Sequence, residues 1–241
     1  MPYRTFALKE VAEYLHLSRT DVEKLVRQNE IPYERKGQQV VFRKSEVDAW
    51  SSRRILGLNN KRLDEYHKTS SAEAGELPQN RAIVSVLLKR NLIAPGLPSK
   101  TKPSLLRDMT AFAEKSGVLY DPKDLLQSLE EREKMCSTAM PDGFALLHPR
   151  HHDPCLFEDS FIALGRASAP IPFGAQDGGK TDLFFLICCQ NDRLHLHVLA
   201  RLCLMCRDKS FLLDLRQAAD AIEIHERLKN REAEILRLLP K

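Results

Sequence analysis

Leu183–Cys189 reads LFFLICC, and after four polar residues Leu194–Arg207 reads LHLHVLARLCLMCR. Seven consecutive apolar residues, with none of the polar alternation of a half-exposed strand, predict a strand buried on both faces. The second run predicts a helix. Working outward, Phe144–Leu147 and Phe161–Arg166 are further strand candidates, and Leu92–Ala94 is a short one. Helices are expected at Ala82–Lys89, Pro103–Ser116, Phe211–Ala218 and Ala221–Leu238. Another is expected from Asp121 to Lys134, where Asp121-Pro122 supplies an N-cap and a proline at the first helical position. Strands between helices indicate an α/β sandwich, a mixed sheet flanked by helices, over residues 80–241.

Residues 57–79 lose this periodicity and are rich in Asn, Ser, Glu and Lys, so they are expected to be a linker. Residues 1–56 carry a separate pattern. Ala7–Leu15 is an expected helix, with Phe6, Leu8, Val11, Ala12 and Leu15 at helical spacing. After a break at His16-Leu17-Ser18, Ser18 is an N-cap with Asp21 three residues on. The second helix turns Val22, Leu25 and Val26 inward and Arg19, Thr20, Lys24 and Arg27 outward. A hairpin follows, Tyr33–Arg35 and Val40–Arg43 about a turn at Lys36-Gly37-Gln38, and then a closing helix at Ser45–Trp50.

The chain has 241 residues, enough for two modest domains, and its 43% hydrophobic and 29% charged content excludes a disordered chain. No apolar run approaches membrane-spanning length, and the N-terminus lacks the apolar core of a secretory signal, so a cytoplasmic location without membrane association is expected. The six cysteines are expected as free thiols, Cys188 and Cys189 at the end of a buried strand and Cys203 and Cys206 inside a helix.

Two helices joined by a tight turn and followed by a basic hairpin suit DNA. The second helix fits a major groove, and Arg35, Lys36 and Arg43 can reach phosphates. Residues 1–56 carry 11 basic against 8 acidic residues, too small an excess for the module to bind tightly alone, so a homodimer or paired sites are expected. The run LKEVAEYLHLSRTDVEKLVRQNEIPYERKGQQVVFRKSEVDAW resembles the excisionase/MerR-type winged helix-turn-helix family. The resemblance implies a mainly α DNA-binding domain.

The C-terminal part resembles the enzyme IIA family of the fructose, mannitol and nitrogen-regulatory type, from the bacterial phosphoenolpyruvate:sugar phosphotransferase system. Three ordered segments carry it: LLQSLEEREKMCSTAMPDGFALLHPR, IPFGAQDGGKTDLFFLICC and HLHVLARLCLMCRDKSFLLDLRQA. The resemblance implies that His148 accepts a phosphoryl group from an HPr-like phosphohistidine donor, with Arg132 and His195 beside it. An imidazole with a free lone pair suits that chemistry, and the planar fork of arginine suits a phosphate. Neither a cofactor nor a resident metal is called for. The family's Pro-His-Gly is here Leu147-His148-Pro149, which removes one amide donor and changes the allowed backbone.

His148, His151, His152, Asp153 and Cys155 lie close in sequence, but their spacing fits no standard zinc motif. His197 is expected to orient or pack. The C-terminal helix (Ile222, Leu228, Ile235, Leu238) is expected to pack on its own domain. The expected whole is a DNA-binding regulator whose second domain senses phosphotransferase status. The alternatives are a phosphotransfer protein of sugar uptake or a non-catalytic binding domain.

Overall fold

The computed structural model describes residues 5–58, 62–67, 82–150 and 156–238. Close contacts divide the chain into two compact units, 1–79 and 80–241. In the first unit, β1 (Thr5–Ala7) leads into α1 (Leu8–Tyr14), α2 (Arg19–Arg27), β2 (Glu34–Lys36), β3 (Gln39–Arg43) and α3 (Lys44–Gly57). The strands form an antiparallel sheet in the order β1-β3-β2. Ser18 caps α2 by accepting the Asp21 amide at 3.1 Å and returns its hydroxyl to the Asp21 carboxylate at 2.6 Å. That reciprocal pair fixes where α2 begins. The turn before it places His16 at φ +52°, while Gly37 at φ +64° lets the hairpin close in two residues.

Three expectations change here. Phe6 belongs to β1 rather than to the α1 face, pairing with Phe42 in β3, and both are buried. The closing helix extends to Gly57, because the small buried Ser51 and Ser52 continue its inner face without an apolar signature. Residues 62–67, inside the expected linker, form a short helix α4 whose Leu63 and His67 are buried. Fewer than two turns around one apolar anchor leave no period to read.

In the second unit, α5 (Val84–Leu87) and a 3₁₀ turn (Arg90–Leu92) precede β4 (Ile93–Leu97), followed by α6 (Lys102–Lys115) and α7 (Pro122–Met135). Then come β5 (Ala139–Met140), β6 (Phe144–Leu147), β7 (Phe161–Ile171), β8 (Thr181–Cys188), α8 (Asp192–Cys206), α9 (Lys209–Gln217) and α10 (Ala221–Leu238). The sheet order is β4-β7-β8-β6-β5, so the apolar LFFLICC run supplies the central strand. β8 pairs parallel to β6 and antiparallel to β7. Gly165 in β7 leaves room for β4 and α6: a Cβ there would meet the side chains of Leu97 and Met109 at 2.4 Å, so these would have to shift. Among the described residues, no helix is long and apolar enough to cross a membrane.

The expected Ala82–Lys89 helix is only Val84–Leu87, held by a partner distant in sequence. Glu232 of α10, fully buried, accepts the amides of Ile83, Val84 and Ser85, each at 2.8 Å. It also pairs with the fully buried Arg201 of α8 at 3.2 Å. One carboxylate thus satisfies a helix N-terminus and neutralises a buried guanidinium. His197 accepts from Arg201 at 3.3 Å and packs in the same network. In α10, Leu228 and Ile235 are buried with Glu232, while Ile222 and Leu238 are exposed.

Burial raises the thiols of Cys188, Cys189 and Cys206, and that of Cys203 to about 12. Two outcomes follow. Glu232→Gln strands Arg201 and is expected to lower unfolding stability by about 3 kcal/mol, read as a shifted denaturant midpoint. Thiolates form only when pH passes the thiol's own value, so at pH 8 these four cysteines are expected to resist iodoacetamide until the protein unfolds, while half-buried Cys136 reacts in the native state, as peptide mass spectrometry would show.

Candidate functional site

Every residue of β6 is buried, and its ladder with β8 runs to the Leu147–Leu186 pair, so His148 is the first residue beyond the strand. Pro149 then offers no amide to continue pairing. The next residue is anchored to α7: the Arg150 amide donates to the Ser128 hydroxyl at 2.9 Å, and its guanidinium meets Glu131 at 3.4 Å. β8 likewise ends at Cys188, and a short connection carries the chain into α8, capped by the Asn191 side chain on the Leu194 amide at 2.9 Å. His195 lies in the first turn of that helix. Since β6 and β8 are parallel, His148 and His195 leave the sheet at the same end. Their rings are tilted by 46° to one another, with centroids 4.9 Å apart.

Both histidines are 2% exposed, and Arg132 is 3% exposed. His148 Nδ1 lies 2.9 Å from the Leu146 carbonyl, and Arg132 Nε lies 2.9 Å from His148 Nε2. A carbonyl only accepts and a guanidinium only donates, so the partners assign the tautomer: Nδ1 carries the proton and Nε2 the lone pair. Nη1 of Arg132 is engaged elsewhere, donating to the Cys136 carbonyl at 2.9 Å and lying 3.4 Å from its Sγ. Nη2 is buried with no hydrogen-bond partner among the described residues. Nε and Nη2 form one edge of the guanidinium, the edge that grips two oxygens of a phosphate. One of its donors rests on the His148 lone pair and the other is unspent.

Neighbouring residues hold this edge in place. Glu133, next to Arg132 in the last turn of α7, accepts the Thr138 amide at 3.0 Å, the Thr138 hydroxyl, and Lys102 Nζ at 2.8 Å. Lys102 also lies over the Phe173 ring, 4.4 Å from its centroid. The Ser137 hydroxyl donates to the Phe173 carbonyl at 2.9 Å. These contacts tie α6, the end of α7, the approach to β5 and the Phe173 loop into one support.

The structure brings Arg132 and His195, 16 and 47 residues from His148 in sequence, against the His148 ring. The holding roles of Cys136, Ser128 and Glu133 were not read from the sequence. Glu133 belongs to the quoted Glu-Arg-Glu run, whereas Cys136 acts through its backbone carbonyl as well, which no side-chain pattern can reveal. His151, His152, Asp153 and Cys155 lie outside the described residues.

On the first unit, Arg19, Thr20 and Arg27 are exposed on α2, with both arginines ion-paired to Glu23 at 3.0 and 3.9 Å. Arg35 and Lys36 are exposed on β2, and Arg43 pairs with Glu34 across the hairpin. Lys24 is exposed but borders a cleft on another side of α2.

Comparison with known proteins places both halves. Residues 86–231 match the family model "Phosphoenolpyruvate-dependent sugar phosphotransferase system, EIIA 2", and residues 6–54 match a model for a helix-turn-helix domain. A nitrogen regulatory protein of Bradyrhizobium diazoefficiens is 31% identical over 145 residues, which cover 59% of this chain and 92% of that protein. The crystal structure of the nitrogen regulatory protein IIA-Ntr from Neisseria meningitidis aligns with a TM-score of 0.56 at 26% identity, covering 61% of this chain and 99% of that one. The IIA mannitol structure from Escherichia coli, at 22% identity and a TM-score of 0.51 over 58% of this chain and 96% of its own, shares the fold. With more than half its length matched by the model, the chain belongs to the phosphotransferase system EIIA 2 family and carries a helix-turn-helix domain ahead of that part.

Proposed function

We propose that this protein is a DNA-binding transcriptional regulator whose enzyme IIA-like domain, residues 80–241, accepts a phosphoryl group on His148 Nε2 from an HPr-like phosphohistidine protein. The observation that carries the reading is the Arg132 edge: Nε on the acceptor lone pair, Nη2 buried and unspent beside it. In the transfer, the Nε2 lone pair forms the new N–P bond as the donor's N–P bond breaks. The donor imidazole leaves with that electron pair. Arg132 Nε then exchanges the lone pair it has lost for a phosphoryl oxygen, and Nη2 takes a second one. His195, 4.9 Å away between ring centroids, is placed to donate to the third oxygen.

The Nδ1–H of His148 keeps its bond to the Leu146 carbonyl throughout. That bond favours a protonated, positively charged ring on the phosphorylated side chain. Such a ring leaves readily, so the phosphoryl group stays transferable. Two negative charges arriving in a buried pocket also alter the local electrostatics sharply. Regulation of the DNA-binding half follows from that change. The adjoining helix-turn-helix domain supports this role over sugar uptake, because a transport phosphocarrier has no need of one.

Incubation with phosphoenolpyruvate, the general phosphotransferase proteins and labelled phosphate is expected to give one acid-labile, base-stable label per chain, lost in His148→Ala. Persistence of the label in that variant, or its absence from the native protein, contradicts the reading. Arg132→Lys is expected to slow labelling about 100-fold, since an ammonium cannot span two oxygens. For the DNA arm, Arg35→Ala is expected to weaken binding uniformly across sequences and lower the slope of log K against log salt by about 1 in a fluorescence-anisotropy titration.

A further inference from the structure

The first unit has a cleft of about 650 Å³, within the size range of small-molecule sites. Its walls come from the α1–α2 turn, α2, α3 and α4. Leu15, Leu25 and Ile55, all buried, supply apolar surface, and Trp50 and Tyr66 supply flat aromatic surface. Trp50 is oriented by its indole N–H, which donates to the Glu30 carbonyl. The guanidinium of Arg54 lies over the Trp50 ring, 4.9 Å from its centroid.

Arg54 is the cation of this cleft that its surroundings leave least satisfied. Its Nη1 is buried and has no hydrogen-bond partner among the described residues. Burial pushes this guanidinium below its usual range; Glu30 and Asp21 offset that shift in part, and Arg62 adds to it. A buried guanidinium donor without an acceptor costs free energy, which an anionic oxygen would recover. The lining also carries Asp21, Glu30 and Glu65. Asp21 is committed to the Ser18 cap. A purely anionic ligand would meet those carboxylates, and a purely cationic one would leave Arg54 as it is.

We infer that this cleft binds a small zwitterion of the α-amino acid class: its carboxylate on Arg54 Nη1, its ammonium toward Glu30, and a flat side chain against Trp50. The site is separate from His148, and the inference does not depend on phosphoryl transfer. Ser18, Asp21, Lys24 and Gln28 of α2 form one side of the cleft, so an occupant touches the helix assigned to the major groove.

Trp50 is the only tryptophan of the chain, so its emission reports on the cleft directly. The full chain is titrated with L-phenylalanine, benzoate and phenethylamine, which carry both charges, the negative charge alone and the positive charge alone. A saturable emission change with L-phenylalanine at a Kd on the order of 1 mM, at least tenfold tighter than for either single-charge probe, is expected. Arg54→Gln is expected to weaken L-phenylalanine and benzoate together by about tenfold, whereas Glu30→Gln weakens L-phenylalanine and spares benzoate. Circular dichroism of both variants confirms that the unit remains folded, and an unfolded Arg54→Gln is replaced by Arg54→Lys, for which the same tenfold loss is expected because an ammonium does not reach the position of Nη1 over the Trp50 ring. No saturable change with L-phenylalanine up to about 20 mM, an equal response to benzoate, or an undiminished response in the folded Arg54 variant overturns the inference.

Discussion

The parallel pairing of β6 with β8 is the constraint on which the rest of the second domain depends. Parallel neighbours leave the sheet at the same end, so whatever follows each strand is brought together there. After β6 comes His148, and after β8 comes the capped start of α8 with His195. The apolar sequence of β8 secures this arrangement, because a strand buried on both faces has only the centre of the sheet to occupy. A slip of one residue in β6 would turn His148 away from both partners.

Onto this frame α7 adds the cation. Arg132 lies in the last turn of α7, and the Cys136 carbonyl at the helix end anchors the far nitrogen of its guanidinium. The same helix holds the residue after Pro149 through Ser128. One element therefore sets both the direction in which the chain leaves His148 and the charge facing that ring. The missing amide at Pro149 is compensated in position by this attachment to α7. Arg132 and His195 lie against His148 at the point where the backbone offers no amide.

Much of the second domain was readable because its apolar runs have the length and period of the elements they form. Phe144–Leu147 and Ala221–Leu238 have the bounds expected from sequence, and Asp121-Pro122 marks the start of α7. The convergence of positions 132, 148 and 195 is legible only through resemblance, since nothing in their spacing implies it. Two short elements escaped: α4, under two turns long, shows one buried leucine, and three-residue β1 runs straight into the helix after it. The shortening of α5 reflects Glu232, a contact across almost 150 residues that no local pattern encodes. Contacts made by backbone atoms, such as the Cys136 carbonyl on Arg132, leave no trace in residue type.

In the proposed transfer His148 presents Nε2, and not Nδ1, to the incoming phosphoryl group, and Arg132 moves from lone pair to phosphate. Nitrogen-15 and phosphorus-31 NMR of histidine-labelled protein, before and after phosphoryl transfer from the general phosphotransferase proteins, tests it most directly. A neutral Nδ1–H ring at His148 is expected beforehand and a nitrogen–phosphorus coupling at its Nε2 afterwards. A coupling at Nδ1, or no phosphohistidine signal at His148, would contradict it.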